Sequence, residues 1–150
     1  SGPGSLRYAR DFAARRRVRG GHGRMTRFYA FESTPTATGT LADHRLSVSG
    51  GKLGPFAEAL AARLGVPGID ASSKLQEDHA SWVDSLARDL QAHRGASALL
   101  PGAYAPAEVH ILAHAINEHL GNQPELVAAA PCEEGWLVEL RATRVDEEIR

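Results

Sequence analysis

Short apolar runs and helix-spaced apolar stripes alternate along the chain. Residues 28–31 form an aromatic run without helical spacing, which predicts a buried strand. Hydroxyl residues and Pro35 follow it and end the strand in a loop, because proline lacks the amide donor that a strand needs. Two more short strands are predicted, over residues 46–48 and 96–100. The apolar runs at 127–131 and 136–140 are candidates for further strands.

Four stripes of apolar residues predict helices. These cover residues 5–17, 55–64, about 78–93 and 106–120. Pro55 and Pro106 stand where a first helical turn accepts proline, and Gly65 and Gly121 stand where helices end. Strands that alternate with helices across short turns are typical of an α/β fold with a parallel sheet.

The loop after the first predicted strand is rich in polar side chains. Its candidate crevice residues are Ser33, Thr34, Thr36, Thr38, Asp43 and His44. Open α/β sheets hold ligands beyond the carboxyl ends of their strands, so a ligand site is expected here if the chain has one. A hydrolytic Ser/His/Asp site is disfavoured, because the adjacent Asp43 and His44 project differently and no nucleophile elbow accompanies them. We expect Asp43 to cap or brace the loop, and His44 and Arg45 to close it.

Other candidate groups lack the partners that their chemistry needs. His110 and His114 have the i, i+4 spacing of a zinc or copper pair, but no third ligand has a recognisable spacing, so ordinary helix residues are expected. A single cysteine, Cys132, excludes a disulfide framework and a four-cysteine cluster within this chain. The glycine-rich loop at residues 49–54 is not a P-loop, because Leu46 stands at its first glycine position.

Charge is unevenly distributed along the chain. Residues 1–30 hold eight arginines against one aspartate, a net charge of +7, which leaves −8 on the rest of a chain whose total is −1. A basic segment can mark nucleic acid or an anionic membrane, but interleaved aromatics and a nucleic-acid fold signature are missing. We therefore expect the arginines to be solvated or to meet acidic surface in a larger assembly, with no nucleic-acid partner. The sequence shows no signal peptide and no apolar run of about 18 residues, so no membrane span is expected in this chain.

Several passages resemble a known family. The first are Phe28-Tyr29-Ala30-Phe31, Glu32-Ser33-Thr34-Pro35-Thr36 and Ala42-Asp43-His44-Arg45-Leu46. They are similar to the strand, Thr-rich loop and Ala-Asp-x-x-Leu-Pro segment of pterin-dinucleotide molybdenum oxidoreductases, with Ser47 at the proline position. The residues of these passages are more similar still to the iron–sulfur subunit of alternative complex III, the bacterial quinol:electron acceptor oxidoreductase. Passages at 2–13, 90–97 and 109–117 also resemble that subunit.

The resemblance implies a molybdopterin-oxidoreductase-like α/β region over residues 1–122, apparently a fragment, with residues 123–150 as a divergent tail of unknown assignment. The implied fold is a partial doubly wound, mainly parallel sheet with flanking helices. The resemblance also implies that the region has lost the molybdenum cofactor. Iron–sulfur clusters are expected in a later, cysteine-rich part of the full-length subunit, and none in this chain.

The expected function is therefore that of a non-catalytic scaffold and interface in an electron-transport complex. The expected partners are other subunits of a membrane-bound respiratory complex, on the periplasmic side of the bacterial inner membrane, with no span of its own in this chain. The alternative is a small α/β nucleotide-binding or hydrolytic enzyme that uses the crevice of the loop at residues 32–40.

Overall fold

The computed structural model describes residues 26–70, 75–122 and 136–141, together with four residues near the start of the chain, Arg10, Ala13, Ala14 and Arg16. These residues form a mixed α/β structure. Its strands are β1 (Arg27–Glu32), β2 (His44–Ser47), β3 (Ser97–Pro101) and β4 (Trp136–Arg141). Its helices are α1 (Leu53–Leu64), α2 (Glu77–Ala92) and α3 (Ala107–Leu120), and short 3₁₀ turns span Gly39–Leu41 and Gly50–Lys52.

The four strands form one parallel sheet in the order β2-β1-β4-β3. Strand β1 lies in the interior, where Tyr29 is opposite His44 of β2 and Val138 of β4. Strand β4 lies between β1 and β3. Part of the segment after Asn122, whose assignment the sequence left open, therefore supplies an interior strand of the sheet.

The main core lies between the sheet and the three helices. Successive side chains of a strand point to opposite faces, and Tyr29 and Phe31 of β1 belong to this core with Leu99 of β3. The helices contribute an apolar stripe each, which includes Phe56, Leu60, Leu86, Leu90, Val109 and Ile116. Phe28 and Ala30 are also buried, on the other face of β1. Burial on both faces explains why β1 is a continuous apolar run rather than an alternating one.

The helix signals in the sequence predict the observed ends closely. Pro106 directly precedes α3, and α1 and α3 end at Gly65 and Gly121, which have φ values of 80° and 70°. These left-handed conformations favour glycine, so the stop signals have a direct physical cause. The α/β class and the parallel strands are confirmed. The helix predicted over 5–17 and the apolar run at 127–131 fall largely outside the described residues.

Strand β2 begins two residues earlier than predicted. His44 and Arg45 are polar and exposed, so they carry no apolar signal, but they pair with Tyr29 and Ala30 of β1. An edge strand with a solvated face does not need an apolar run. Within the described ranges, no helix is both long enough and apolar enough to cross a membrane.

Candidate functional site

The loop after β1 is organised around the carboxylate of Glu32, which is 2% exposed. Arg45 Nε of β2 donates to Glu32 Oε1 at 2.5 Å. Thr36 Oγ1 donates to Glu32 Oε2 at 2.7 Å, and the Thr36 amide donates to Oε1 at 3.4 Å. A buried carboxylate is stable only with such partners, and here both of its oxygens have them.

Gly39 lets the loop pack directly over this carboxylate. Its amide donates to Thr36 Oγ1 at 3.0 Å, which orients the same hydroxyl that binds Glu32. A Cβ atom at Gly39 would lie 2.0 Å from Glu32 Oε1, far inside van der Waals contact. Any side chain at this position would therefore displace either the loop or the carboxylate.

The Glu32 carboxylate is held in its charged form. Burial alone would raise its pKa, but the hydrogen bonds from Arg45 and Thr36 outweigh burial and leave the pKa below its ordinary value. A general base needs a free lone pair within reach of a substrate proton. Because the oxygens of Glu32 already accept three hydrogen bonds within the chain, this arrangement favours a structural role over proton transfer.

Asp43 joins the start of β2 to the start of β1. Its Oδ2 accepts the Phe28 amide at 2.8 Å, and its own amide donates to the Phe28 carbonyl at 2.9 Å. Arg16 binds both carboxylate oxygens, at 2.7 and 2.8 Å. The hydrogen bond from Arg16 lowers the pKa of Asp43, burial opposes this, and the Phe28 amide adds to the lowering. Asp43 therefore ties the end of the loop to the start of β1.

His44 packs in an aromatic cluster that the sequence did not reveal. Its ring stacks on Tyr29 with centroids 4.7 Å apart, and it meets Trp82 in a T-shaped arrangement with centroids 6.0 Å apart. The Tyr29 hydroxyl donates to Asp89 Oδ2, which also accepts Arg27 Nη1 at 2.9 Å. Burial, followed by the hydrogen bond to Asp89, raises the pKa of Tyr29 to about 12. A phenol with this pKa stays protonated at neutral pH and keeps its proton available for the hydrogen bond to Asp89.

The six candidate crevice residues divide into two groups. Ser33, Thr34, Thr36 and Thr38 follow the carboxyl end of β1, whereas Asp43 and His44 lie at the amino end of β2. The separation arises because β1 and β2 are parallel, so the loop must return along the sheet before β2 begins. The structure brings Thr36 to Glu32 but does not bring Asp43 or His44 to the loop hydroxyls.

Glu32, Gly39 and Arg45 hold the loop in place. The sequence analysis placed Glu32 and Gly39 within the crevice loop and Arg45 at its close, but named none of the three among the candidate site residues. The available signal was a glutamate at the end of an apolar run, since such a residue is buried and needs a cation. Finding the cation requires the register, in which Ala30 lies opposite Arg45. Without that register, Arg45 is one of 15 arginines in the sequence.

The histidines of α3 lie on its surface. His114 is exposed and His110 is half-buried. Within the residues that the structure describes, no group of three or more histidine, cysteine, aspartate or glutamate side chains is placed to hold a metal ion. Cys132 lies outside those residues.

A groove lies apart from the Thr-rich loop. It has a volume of about 590 Å³ and runs between α1, the segment at 68–70 and α3. Ile69, Ile111 and Leu112 contribute apolar surface, and Glu58, Asp70 and Glu108 contribute carboxylates.

Comparison with known proteins gives no relative: no family model matches the chain, and no curated protein is significantly similar to it.

Proposed function

We propose that this chain is a non-catalytic scaffold and interface part of the iron–sulfur subunit of a respiratory quinol:electron acceptor oxidoreductase. The observation that carries the proposal is the packing of the Thr-rich loop onto Glu32. Thr36 Oγ1 donates to this carboxylate and accepts the Gly39 amide. The Thr36 hydroxyl and the Gly39 amide, which a ligand-binding loop could offer to a ligand, are thus used within the chain.

The charges around the loop also disfavour an anionic cofactor. A pyrophosphate needs unneutralised cations or glycine-rich helix ends. Arg45 is a cation beside this loop, and Glu32 neutralises it at 2.5 Å. A phosphate placed there would meet a buried carboxylate, which repels it. This supports a region without a pterin dinucleotide of its own.

The rest of the assignment follows from the resemblance. Under this proposal the parallel sheet is part of a doubly wound, molybdopterin-oxidoreductase-like fold, and the iron–sulfur clusters bind to a later, cysteine-rich part of the subunit. The chain works beside other subunits of the complex on the periplasmic side of the bacterial inner membrane. Electrons pass through the clusters and not through the residues described above.

A small nucleotide-binding or hydrolytic enzyme receives no specific support from the contacts. Such an enzyme would combine the loop hydroxyls with Asp43 or His44. Asp43 is engaged by Arg16 and the Phe28 amide, and His44 stacks on Tyr29 at the other end of the strands.

The test is purification of the tagged gene product from detergent-solubilised membranes of the source bacterium. We expect it to co-purify with iron-containing subunits that oxidise quinol. The Thr36→Val variant should lower the yield of complex, because it removes a hydrogen bond to Glu32, but should leave quinol turnover per mole of iron unchanged.

Two results would overturn the proposal. One is a tagged product that purifies alone from the soluble fraction, without iron or quinol oxidation. The other is a Thr36→Val complex that assembles normally but turns over much more slowly, since that would make the loop part of the catalytic site.

A further inference from the structure

The groove between α1 and α3 combines apolar surface with a large exposed side chain. Ile111 of α3 is 69% exposed, and Ile69 and Leu112 are half-buried beside it. The volume of about 590 Å³ is in the range of sites that enclose a ligand or several side chains of a partner. Ile111, Ile69 and Leu112 together give the groove an apolar wall.

The groove is also acidic. Glu58, Asp70 and Glu108 contribute three carboxylates, and none of its nine described lining residues is a lysine, arginine or histidine. This local charge has the same sign as the net −8 of residues 31–150. The surface therefore attracts cations and repels nucleic acid and anionic membranes.

Glu108 is positioned by the backbone of α1. Its Oε1 lies 3.3 Å from the place that a Cβ atom at Gly54 would occupy, so the missing side chain at Gly54 leaves room for the carboxylate. Gly54 belongs to the first turn of α1, where the helix dipole stabilises negative charge. One of the three carboxylates therefore lies beside the positive end of the α1 dipole.

We propose that this groove docks a basic, amphipathic segment of a partner protein, an inference that rests on the interface role proposed above. An apolar side chain of the segment would pack on Ile111, Ile69 and Leu112. Arginine or lysine side chains on either side of it would meet Asp70 and Glu108. Charge complementarity selects a cationic partner, and the apolar surface selects a segment with hydrophobic side chains over a small polar cation.

The test measures binding of labelled peptides to the purified chain by fluorescence anisotropy. The probe is a short helical peptide with leucine and arginine on one face. Two comparison peptides replace either every arginine with glutamine or every leucine with serine. We expect the probe to bind, each comparison peptide to bind at least about tenfold more weakly, and added salt to weaken the probe.

Variants of the chain localise the binding. Ile111→Ser and the double variant Asp70→Asn/Glu108→Gln should each weaken the probe about tenfold. Leu41→Ser and Glu118→Gln are matched controls, because Leu41 is 59% exposed, Glu118 is exposed on α3, and neither lines the groove. Both controls should bind like the parent, and circular dichroism should show that all variants are folded.

Several outcomes would overturn the proposal. One is that the probe does not bind, and another is that the parent and the groove variants bind it equally. A third is that spermine displaces the probe while Ile111→Ser has no effect, which would indicate a site for small cations. Self-association that Ile111→Ser abolishes would identify a second copy as the occupant. Because these assays need no respiratory complex, they can fail while co-purification from membranes succeeds, which separates this inference from the proposed function.

Discussion

Asn117 of α3 binds both backbone groups of Leu99 in the edge strand β3. Its Oδ1 accepts the Leu99 amide at 3.0 Å, and its Nδ2 donates to the Leu99 carbonyl at 2.8 Å. Strand β3 pairs with β4 on its other side. The side-chain amide therefore occupies the positions where a further strand would pair, which protects this edge of the sheet.

Replacement of Asn117 by alanine should destabilise the fold by about 1–3 kcal/mol, because it removes the partners of a backbone donor and acceptor. The matched control is His114→Ala, an exposed position on the same helix, where a change within about 0.5 kcal/mol is expected. Urea denaturation followed by circular dichroism gives both values. Equal stability of the two variants would show that the Asn117 contacts contribute nothing.

Gly39→Ala should destabilise the chain by about 1–3 kcal/mol, the usual range for overpacking a close contact. The reason is steric, since the added Cβ would lie 2.0 Å from the Glu32 carboxylate. Gly51→Ala is the control, because a Cβ atom there would meet nothing within 4 Å. Thermal unfolding of the two variants side by side checks the prediction, and a Gly39→Ala protein as stable as the Gly51→Ala protein would refute it.

Loss of Arg45 should cost much more than loss of an exposed arginine. Arg45→Met leaves the buried Glu32 carboxylate with Thr36 as its remaining partner. We expect a loss of about 2–3 kcal/mol, less than for a fully buried ion pair because the Arg45 side chain is 34% exposed. Arg63→Met breaks the pair with Asp84, whose side chains are 57% and 42% exposed, and should cost about 0–1 kcal/mol.

A second substitution tests the cause of this loss. Adding Glu32→Gln to Arg45→Met removes the uncompensated charge and should restore part of the stability. A double variant less stable than Arg45→Met alone would show that the uncompensated charge of the buried Glu32 carboxylate is not the cause of the loss.

Stability should fall in acid because the folded state lowers two carboxyl pKa values. The ordinary values are 4.5 for Glu32 and 3.8 for Asp43, and both are lower in the folded chain. Their stabilising contribution is complete above the ordinary values and is lost as the pH falls through the folded values. Denaturation midpoints measured at decreasing pH should therefore drop, and the Asp43→Asn variant should show a shallower drop. Identical pH profiles for the parent and Asp43→Asn would contradict the role of Asp43.

The elements with strong local signals were predictable from the sequence. The glycine after α1 and the proline before α3 act on the backbone at their own positions, so they mark helix ends without knowledge of the fold. The apolar run of β1 reflects burial on both faces, which is also a local pattern. By contrast, the place of β4 between β1 and β3 depends on pairing between distant segments, and the sequence indicated only that a strand was possible there.

The candidate site was less predictable because it depends on register. The return of the loop along the sheet separates Asp43 and His44 from Ser33 and Thr34, although they are close in sequence. The contacts of Glu32 come from Thr36 in the same loop and from Arg45 across the sheet. The Thr36 contact joins residues four apart in the sequence, so it is local. The Arg45 contact can be inferred only when Ala30 is known to lie opposite Arg45.

The most direct test of the central claim is the iron and molybdenum content of the purified 150-residue chain, together with its visible absorption spectrum. The chain contains one cysteine, so a cluster with four cysteine ligands cannot form within it. A scaffold whose clusters bind elsewhere in the subunit should contain neither metal and show no visible band. Iron or molybdenum near one equivalent, with absorbance that dithionite bleaches, would contradict the scaffold role and assign a redox centre to this chain.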